Sequence, residues 1–93
     1  AALRINPNYA GALTNRGNVY YNRKEYDRAI ADYNAALRID PNSADAYYNR
    51  GLAYYNKKDY DRAVADFTAA LGINPNFADA KVNLELARNA RGY

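Results

Sequence analysis

The chain has 93 residues, 25% of them charged, and a formal net charge of +3 at pH 7, which leaves room for one domain. Because it contains no Cys, His or Met, the composition excludes a disulfide framework, thiolate chemistry and the commonest zinc ligands, and we expect no metal and no cofactor. The small positive charge is mild for a nucleic-acid-binding domain, and no apolar stretch is long enough to cross a membrane.

A repeat of 34 residues organises the chain. Pro7, Pro41 and Pro75 stand 34 residues apart, each after an Ile-Asn or Ile-Asp pair and before Asn. Residues 10–43 align with residues 44–77 without a gap, and 21 of the 34 aligned pairs are identical, so the chain is a tandem array. We therefore divide the single domain 1–93 into the tail of a preceding repeat, two full units and a C-terminal capping helix, at 1–9, 10–43, 44–77 and 78–93. The start at Ala1, without an initiator Met or a signal-peptide pattern, indicates a cut inside a longer protein.

Each unit has the apolar spacing of a helical hairpin. Apolar residues recur at three- and four-residue steps, as in Tyr26, Ala29, Ile30 and Tyr33, and no segment alternates like a strand. The spacing predicts an all-α chain with helices at about 10–23, 27–39, 44–57, 61–73 and 78–91.

The residues between the helices predict caps and turns. Asn42 and Asn76 follow the prolines, each with an acid three residues later, and are predicted N-caps of the third and fifth helices. Asp59 is the predicted cap of the fourth helix. The hairpin bends contain Lys24 and Lys58, which we expect in or near a left-handed conformation that costs a non-Gly residue about 1 kcal/mol.

These residues together resemble the tetratricopeptide repeat, whose 34-residue pattern is W-x2-L-G-x2-Y…A-x3-F…P. The two units fill that pattern, in order, with Leu13 and Tyr47, Arg16 and Arg50, Gly17 and Gly51, Tyr20 and Tyr54, Ala29 and Ala63, Tyr33 and Phe67, and Pro41 and Pro75. The terminal helix departs from it, with Glu85 in place of the Gly and Arg88 in place of the Tyr. That helix resembles the solvating end helix that repeat arrays need.

The resemblance implies an α-solenoid of antiparallel hairpins wound into a right-handed superhelix. First helices would line its concave face and second helices its convex face. Gly17 and Gly51 would let the helices of a hairpin approach closely. Tyrosines at repeat positions are predicted to form the core: Tyr20, Tyr26, Tyr33, Tyr54 and Tyr60.

Two basic features have both a structural and a functional interpretation. Arg16 and Arg50 could recognise phosphate or carboxylate, but an ion pair with Asp32 and Asp66, which lie 16 residues further on, is the favoured interpretation. The bends carry the basic pairs Arg23-Lys24 and Lys57-Lys58, followed by Arg28 and Arg62. Acidic residues are interleaved with them, so a solvated surface is favoured over a phosphate site.

The candidate binding site is the face of the first helices that points away from the second helices, which we call the groove. Its residues are Thr14, Asn15, Asn18, Tyr21, Asn22, Asp45, Tyr48, Asn49, Leu52, Tyr55, Asn56, Val82, Asn83 and Leu86. Asn15, Asn49 and Asn83 are equivalent, and an Asn can both donate to and accept from an extended peptide backbone.

An apolar pocket is predicted beside these asparagines, because its side chains have no obvious role in packing within the array: Tyr48, Leu52, Tyr55, Val82 and Leu86. Tyr21, Tyr48 and Tyr55 either contact a ligand or remain part of the surface. Tyr48 is the predicted anchor, so we expect Tyr48→Ala to weaken binding while stability barely changes.

Some members of the family clamp the C-terminal carboxylate of heat-shock chaperones with two Asn and three basic residues. Asn18 and Asn49 match the two Asn, but the basic positions hold Thr14, Asp79 and Asn83. Asp79 would repel a carboxylate, so we reject that clamp for this chain.

Two classes of function remain. The first is a scaffold that binds a peptide or protein segment in the groove, and the second is a self-assembly module that stacks through open repeat ends, with Leu3 and Ile5 contributing to weak association. RNA binding is a distant alternative, because the charge offers little attraction for phosphate. No paired-acid site, phosphate loop or nucleophile motif is present, so we expect no enzyme, and neither nucleic acid nor membrane as partner. The sequence indicates no compartment.

Overall fold

The computed structural model describes residues 7–92 of the chain. Its five helices follow one another in antiparallel hairpins: α1 (Pro7–Asn22), α2 (Tyr26–Ile39), α3 (Ala44–Asn56), α4 (Tyr60–Ile73) and α5 (Ala78–Ala90). The predicted all-α solenoid is confirmed, and the helix ends lie within three residues of the predicted ones. The largest difference is the start of α1 at Pro7, a position that suits proline because the first helical residue needs no N–H partner.

Two of the three predicted caps are wrong by one residue. Ser43, not Asn42, caps α3, and its hydroxyl accepts a hydrogen bond from the N–H of Ala46 at 3.2 Å. The N–H of Asn42 instead donates to Oδ1 of Asp40 at 3.1 Å, which places Asn42 inside a turn around the proline. The N-cap of α5 is likewise Phe77 rather than Asn76, and its side chain makes no capping bond.

The predicted cap at Asp59 is confirmed, because its side chain accepts from the N–H of Arg62. Both bends have the predicted left-handed residue, with φ of 63° at Lys24 and 67° at Lys58. In each bend the third N–H after the helix end returns to a carbonyl of the last turn, as from Asp59 to Tyr54 at 2.9 Å. This is the Schellman arrangement of helix C-termini.

The helices lie in two layers. Within the described residues, α3 touches both α1 and α5, whereas α2 and α4 make no contact with each other. Helices on the inside of a curve lie closer together than those on the outside, so α1, α3 and α5 form the inner layer.

The two glycines of the repeat pattern make the hairpins close. A Cβ at Gly17 would lie 2.7 Å from Cε1 of Tyr33, and one at Gly51 would lie 2.7 Å from Cε1 of Phe67. Tyr33 and Phe67 are the largest fully buried side chains. The other four tyrosines predicted to be core, Tyr20, Tyr26, Tyr54 and Tyr60, are only half-buried.

The arginines of the repeat form the predicted ion pairs. Nε and Nη2 of Arg16 donate to the two carboxylate oxygens of Asp32, both at 2.8 Å. Arg50 holds Asp66 in the same two-pronged way, at 2.8 and 2.7 Å. These bonds are the main cause of the raised pKa of each arginine, so both guanidinium groups stay charged and serve the fold.

The basic bends are solvated, and several of their cations have acidic partners. Lys57 pairs with Asp27 of the preceding unit, and Arg91 pairs with Asp61 in the equivalent place at 3.3 Å. Arg62 pairs with Asp59 within its own helix start at 3.1 Å. These acidic partners neutralise the basic side chains, which favours a solvated surface over a phosphate-binding site at the bends.

Within residues 7–92 no group of three acidic, Cys or His side chains is placed to hold a metal ion. No helix among them is both long and apolar enough to cross a membrane. The expectation for Leu3 and Ile5 concerns residues outside the described part of the chain.

Candidate functional site

The groove residues all come from the inner layer, and none of the fourteen is fully buried. The exposed members are Asn15, Asn22, Asp45, Asn56, Val82 and Leu86, and the half-buried members are Thr14, Asn18, Tyr21, Tyr48, Asn49, Leu52, Tyr55 and Asn83. The structure thus places the predicted residues on neighbouring helices, but their side chains differ in how much of their bonding capacity is already used.

The equivalent asparagines do not form a uniform ladder. The side chains of Asn15, Asn22 and Asn49 make no hydrogen bond within residues 7–92, so their side-chain amides are available to a ligand. Asn18 is engaged, because the hydroxyl of Tyr33 donates to its Oδ1 at 2.5 Å. Asn83 is engaged as well, through bonds to α3 and to its own helix.

Two Tyr–Asn pairs cross from one inner helix to the next. Nδ2 of Asn56 on α3 donates to Oη of Tyr21 on α1 at 2.8 Å, and also to the carbonyl of Leu52 at 2.8 Å. Nδ2 of Asn83 on α5 donates to Oη of Tyr48 on α3 at 3.0 Å and to the carbonyl of Asp79 at 2.9 Å. We call these two pairs the Tyr–Asn dyads.

Sequence reasoning singled out all four dyad residues but missed the pairing. The partners are 35 residues apart, one more than the period, so each tyrosine meets the residue that follows its own repeat equivalent. A search for Tyr and Asn at that offset could have found the pairs.

Both dyad tyrosines are neutral hydrogen-bonding groups. Partial burial is the main cause of the raised pKa of Tyr21 and of Tyr48, since leaving water disfavours the phenolate. For Tyr48 the negative charge of Asp79 acts in the same direction. Both side chains therefore keep the O–H proton over the physiological pH range.

The prediction that the five pocket residues have no packing role is wrong for three of them. Tyr48, Leu52 and Tyr55 pack against the core cluster that contains Phe67 and Leu84. The ring of Tyr48 lies 4.8 Å, centre to centre, from Phe77 and 5.7 Å from Phe67. Tyr48→Ala would remove these contacts, so we now expect it to lower the free energy of unfolding as well.

The other two pocket residues remain open to solvent. Val82 and Leu86 of α5 are 60% and 47% exposed, and they lie one helical turn apart on the same face. They are the apolar side chains of the groove that a partner could cover without disturbing the core.

The positions of the rejected carboxylate clamp offer few donors. Oγ1 of Thr14 donates to the carbonyl of Ala10 at 3.0 Å, and both amide hydrogens of Asn83 are used within the chain. Asp79 is exposed and acidic. Among the five clamp positions, the side-chain N–H groups of Asn49 and of Asn18 make no hydrogen bond within residues 7–92, since the bond from Tyr33 uses only Oδ1 of Asn18.

A separate open depression of about 330 Å³ lies at the hairpin bends, lined by Lys24, Glu25, Tyr26, Asp27, Arg28 and Lys57. It is open to solvent, and two of its lining residues, Lys57 and Asp27, already pair with each other. It shares no residue with the groove.

Family profiles match most of the chain. The description "TPR repeat" matches residues 17–58, and two profiles described as "Tetratricopeptide repeat" match residues 44–77 and 1–31. No curated protein matches the chain significantly in sequence.

Solved structures resemble the whole fold. The first TPR of Spaghetti (RPAP3), bound to the HSP90 peptide SRMEEVD, is 28% identical with a TM-score of 0.92, and the match covers 97% of this chain and 71% of that one. The second TPR domain of human RPAP3, in complex with the HSP70 peptide SGPTIEEVD, is also 28% identical, with a TM-score of 0.89 and 94% and 73% coverage. The Sgt2 TPR domain from Aspergillus fumigatus is 33% identical, with a TM-score of 0.85 and 88% and 54% coverage.

The period, the glycine and aromatic positions, the hairpin geometry and these matches agree. The chain belongs to the tetratricopeptide repeat family.

Proposed function

We propose that this chain is an interaction scaffold that binds a peptide segment of another protein in the groove, and that it is not an enzyme. The observation that carries the proposal is the exposed pair Val82 and Leu86 on α5, together with side-chain amides elsewhere on the inner layer that make no hydrogen bond within residues 7–92. Apolar anchors beside unpaired polar groups are typical of peptide-binding surfaces.

The likeness to peptide-bound TPR domains supports this function but not the same peptide. The neighbours are bound to HSP90 and HSP70 peptides that end in Asp. In this chain Asp79 stands where a clamp would place a basic residue, and it would repel a terminal carboxylate. The partner segment we propose is therefore uncharged or basic where it passes α5.

The apolar contact comes from α5 in this proposal. Val82 and Leu86 replace Tyr48 as the anchor, because Tyr48 is committed to the aromatic contacts of the core. The free amides of Asn15 and Asn49 would bind polar groups of the segment further along the inner layer. Two units offer a short groove, so we expect micromolar or weaker affinity, about −8 kcal/mol or less favourable.

Self-assembly remains the second candidate, and the exposed side chain of Val19 favours it. Val19 is 53% exposed, whereas its repeat equivalents Ala53 and Ala87 are fully buried against the preceding hairpin. A second copy of the chain that docked by its α5 side would cover Val19. Sedimentation across a concentration series tests this, because self-assembly raises the mean mass with concentration.

The experiment for the scaffold uses a random twelve-residue peptide library displayed on phage, selected against the chain. The enriched peptide is then measured by fluorescence anisotropy, and the HSP90 peptide SRMEEVD is measured beside it. We expect an enriched peptide to bind and SRMEEVD not to bind.

A matched pair of variants locates the site. Val82→Ser with Leu86→Ser should weaken binding of the enriched peptide by about 10-fold or more, because burial of two aliphatic side chains is lost. Val19→Ser removes an exposed aliphatic side chain outside the groove and should leave binding unchanged. Failure of the library to enrich any peptide, or an equal loss in both variants, would overturn the proposal.

A further inference from the structure

We propose that Asn42 is a site of spontaneous deamidation, where water converts the amide side chain into Asp and isoaspartate. Asn42 lies in the link between the two complete units, in the turn that follows Pro41. The capping role that its sequence position predicts is taken by Ser43, which leaves the Asn42 side chain without a structural task. This covalent change concerns the chain itself and is independent of the groove.

The reaction needs no reagent other than water. The main-chain nitrogen of the residue after the Asn attacks Cγ, a cyclic succinimide forms as the bond from Cγ to the amide nitrogen breaks, and ammonia leaves with the proton of the attacking N–H. Water then opens the ring at either of its carbonyl carbons. One opening gives Asp, and the other gives isoaspartate, in which the main chain runs through Cβ. Asn is for this reason among the thermolabile residues.

The atoms that must meet are free to do so at Asn42. The residue is exposed, and its side-chain amide makes no hydrogen bond within residues 7–92. The attacking nitrogen belongs to Ser43, whose N–H likewise makes no hydrogen bond within those residues. The small side chain of Ser43 leaves room for the approach. The N–H of Asn42 itself is held by Oδ1 of Asp40 at 3.1 Å, which leaves rotation toward Ser43 open.

The equivalent turn of the second unit lacks this freedom. Asn76 has the same place in the turn, and its N–H donates in the same way to Oδ1 of Asn74 at 3.3 Å. The next N–H, however, belongs to Phe77 and donates to the carbonyl of Asn74 at 3.1 Å. That hydrogen bond must break before the nitrogen can attack. The ring of Phe77, packed on Tyr48 with ring centres 4.8 Å apart, also hinders the approach.

Asparagines within the helices are protected for the same reason. Beyond the first turn of a helix, the N–H that follows each Asn is part of the helical hydrogen-bond pattern. At the end of α1, the N–H of Arg23, which follows Asn22, donates to the carbonyl of Val19 at 3.1 Å. Asn74 precedes a proline, which has no N–H. We therefore expect Asn42 to react before these asparagines.

The two products should differ in their effect on α3. Ser43 caps this helix through its hydroxyl, which accepts from the N–H of Ala46 at 3.2 Å. Conversion to Asp leaves the main chain unchanged and adds a negative charge near the start of the helix, which favours the helix. Isoaspartate lengthens the main chain before Ser43 by one carbon, which displaces the hydroxyl and removes the cap. Accumulated isoaspartate would therefore weaken the link between the units as the protein ages.

The test follows both turns in one sample. The chain is incubated in buffer at physiological temperature, digested with trypsin and measured by mass spectrometry, which detects the exchange of NH2 for OH and its position. The peptide of residues 39–50 reports Asn42, and the peptide of residues 63–81 reports Asn76. A parallel sample in guanidinium chloride gives the rate at each Asn in the unfolded chain.

Comparison of the folded and unfolded samples removes the effect of the neighbouring side chain on each rate. We expect folding to slow Asn76 by about 10-fold or more, because the N–H after it is hydrogen-bonded, and to slow Asn42 by less than about 2-fold. Asn42→Gln should abolish the fast mass change, since the longer side chain forms its ring much more slowly. Equal slowing of Asn42 and Asn76 on folding would overturn the proposal.

The effect on the fold is measured on the separated products. Ion exchange separates the reacted chains, and labelling by an isoaspartyl methyltransferase identifies the isoaspartate fraction. We expect a lower denaturation midpoint for that fraction. Asn42→Asp is the matched control for the added charge and should have an unchanged or higher midpoint. An isoaspartate fraction as stable as Asn42→Asp would contradict the loss of the α3 cap.

Discussion

The two complete units fill the same gap in their hairpins with different chemistry. In the first unit the ring over Gly17 belongs to Tyr33, and its hydroxyl donates to Asn18 on the groove side. In the second unit the ring over Gly51 belongs to Phe67, and Leu52 takes the place of Asn18. Both partners change together, so a polar pair in one unit corresponds to an apolar pair in the other.

This difference shows how strictly a buried hydroxyl must be satisfied. Tyr33 is 1% exposed, and an unpaired O–H there would be costly. The second unit needs no acceptor because Phe67 has no hydroxyl, so Leu52 is free to pack on the core. A consequence for the groove is that the first unit presents amides where the second presents aliphatic surface.

The arginines show a second difference between the units. The side chain of Arg50 is 21% exposed and that of Arg16 is 61% exposed. Nη1 of Arg50 also donates to Oδ1 of Asn34 in the preceding unit at 2.7 Å, and its guanidinium lies over the rings of Tyr47 and Tyr54. Arg50 therefore joins two units, whereas Arg16, within residues 7–92, joins two helices of one unit.

The largest loss of stability should come from a side chain placed between Gly51 and the ring that packs on it. Gly51→Ala places a methyl group 2.7 Å from Phe67 and 3.2 Å from Cβ of Asp66, so backbone or ring must shift, and we expect a loss of about 2–3 kcal/mol in the free energy of unfolding. Chemical denaturation followed by circular dichroism measures it.

Gly72→Ala is the control, because a Cβ there meets nothing within 4 Å. It should raise stability by up to about 1 kcal/mol through helix propensity alone. A Gly51→Ala variant as stable as Gly72→Ala would contradict the close approach of the two helices.

Removal of the acidic partner should destabilise the fold more at Arg50 than at Arg16. Asp66→Ala leaves a half-buried guanidinium that joins two units, and we expect a loss of about 2 kcal/mol in the free energy of unfolding. Asp32→Ala should cost less, because water solvates Arg16. Equal losses in the two variants would show that the bond to Asn34 and the burial of Arg50 add nothing.

Replacement of the Tyr33–Asn18 pair by the Phe–Leu pair of the second unit should change the free energy of unfolding less. The effects of the two substitutions should not be additive. Asn18→Leu alone leaves the Tyr33 hydroxyl without its acceptor and should cost about 1–2 kcal/mol. Asn18→Leu with Tyr33→Phe recreates the pair of the second unit and should recover most of that loss. A double-mutant cycle by denaturation measures the coupling, and additive single effects would refute it.

The same pair predicts a dependence on pH. Burial raises the pKa of Tyr33 above the ordinary value of 10.0, so above that pH the unfolded chain releases a proton that the folded chain holds. Stability should therefore fall as the pH rises past 10, and the Tyr33→Phe double variant should lose less over that range.

The smallest effect concerns the bends, where the two units agree. Lys58 has φ of 67°, which costs a non-Gly residue about 1 kcal/mol. Lys58→Gly should leave the denaturation midpoint unchanged or raise it, because relief of strain offsets the added freedom of the unfolded chain. A clear fall in the midpoint would mean that the Lys58 side chain contributes more than the turn costs.

The sequence by itself determined the repeat, the helices, the left-handed bends and the Arg–Asp pairs. These follow from spacing along one hairpin, since residues such as Arg16 and Asp32 are brought together by local geometry. The caps of α3 and α5 were missed by one residue, because Asn42 and Ser43 are both good capping residues and only the turn around the proline decides between them.

Only the tertiary structure decided which side chains of neighbouring helices meet. It pairs Tyr21 with Asn56 and Tyr48 with Asn83, one residue away from the 34-residue register. It also packs Tyr48 on Phe67 and Phe77, and so makes it a packing residue. These contacts depend on how the helices are turned toward one another, which a period along the chain does not contain.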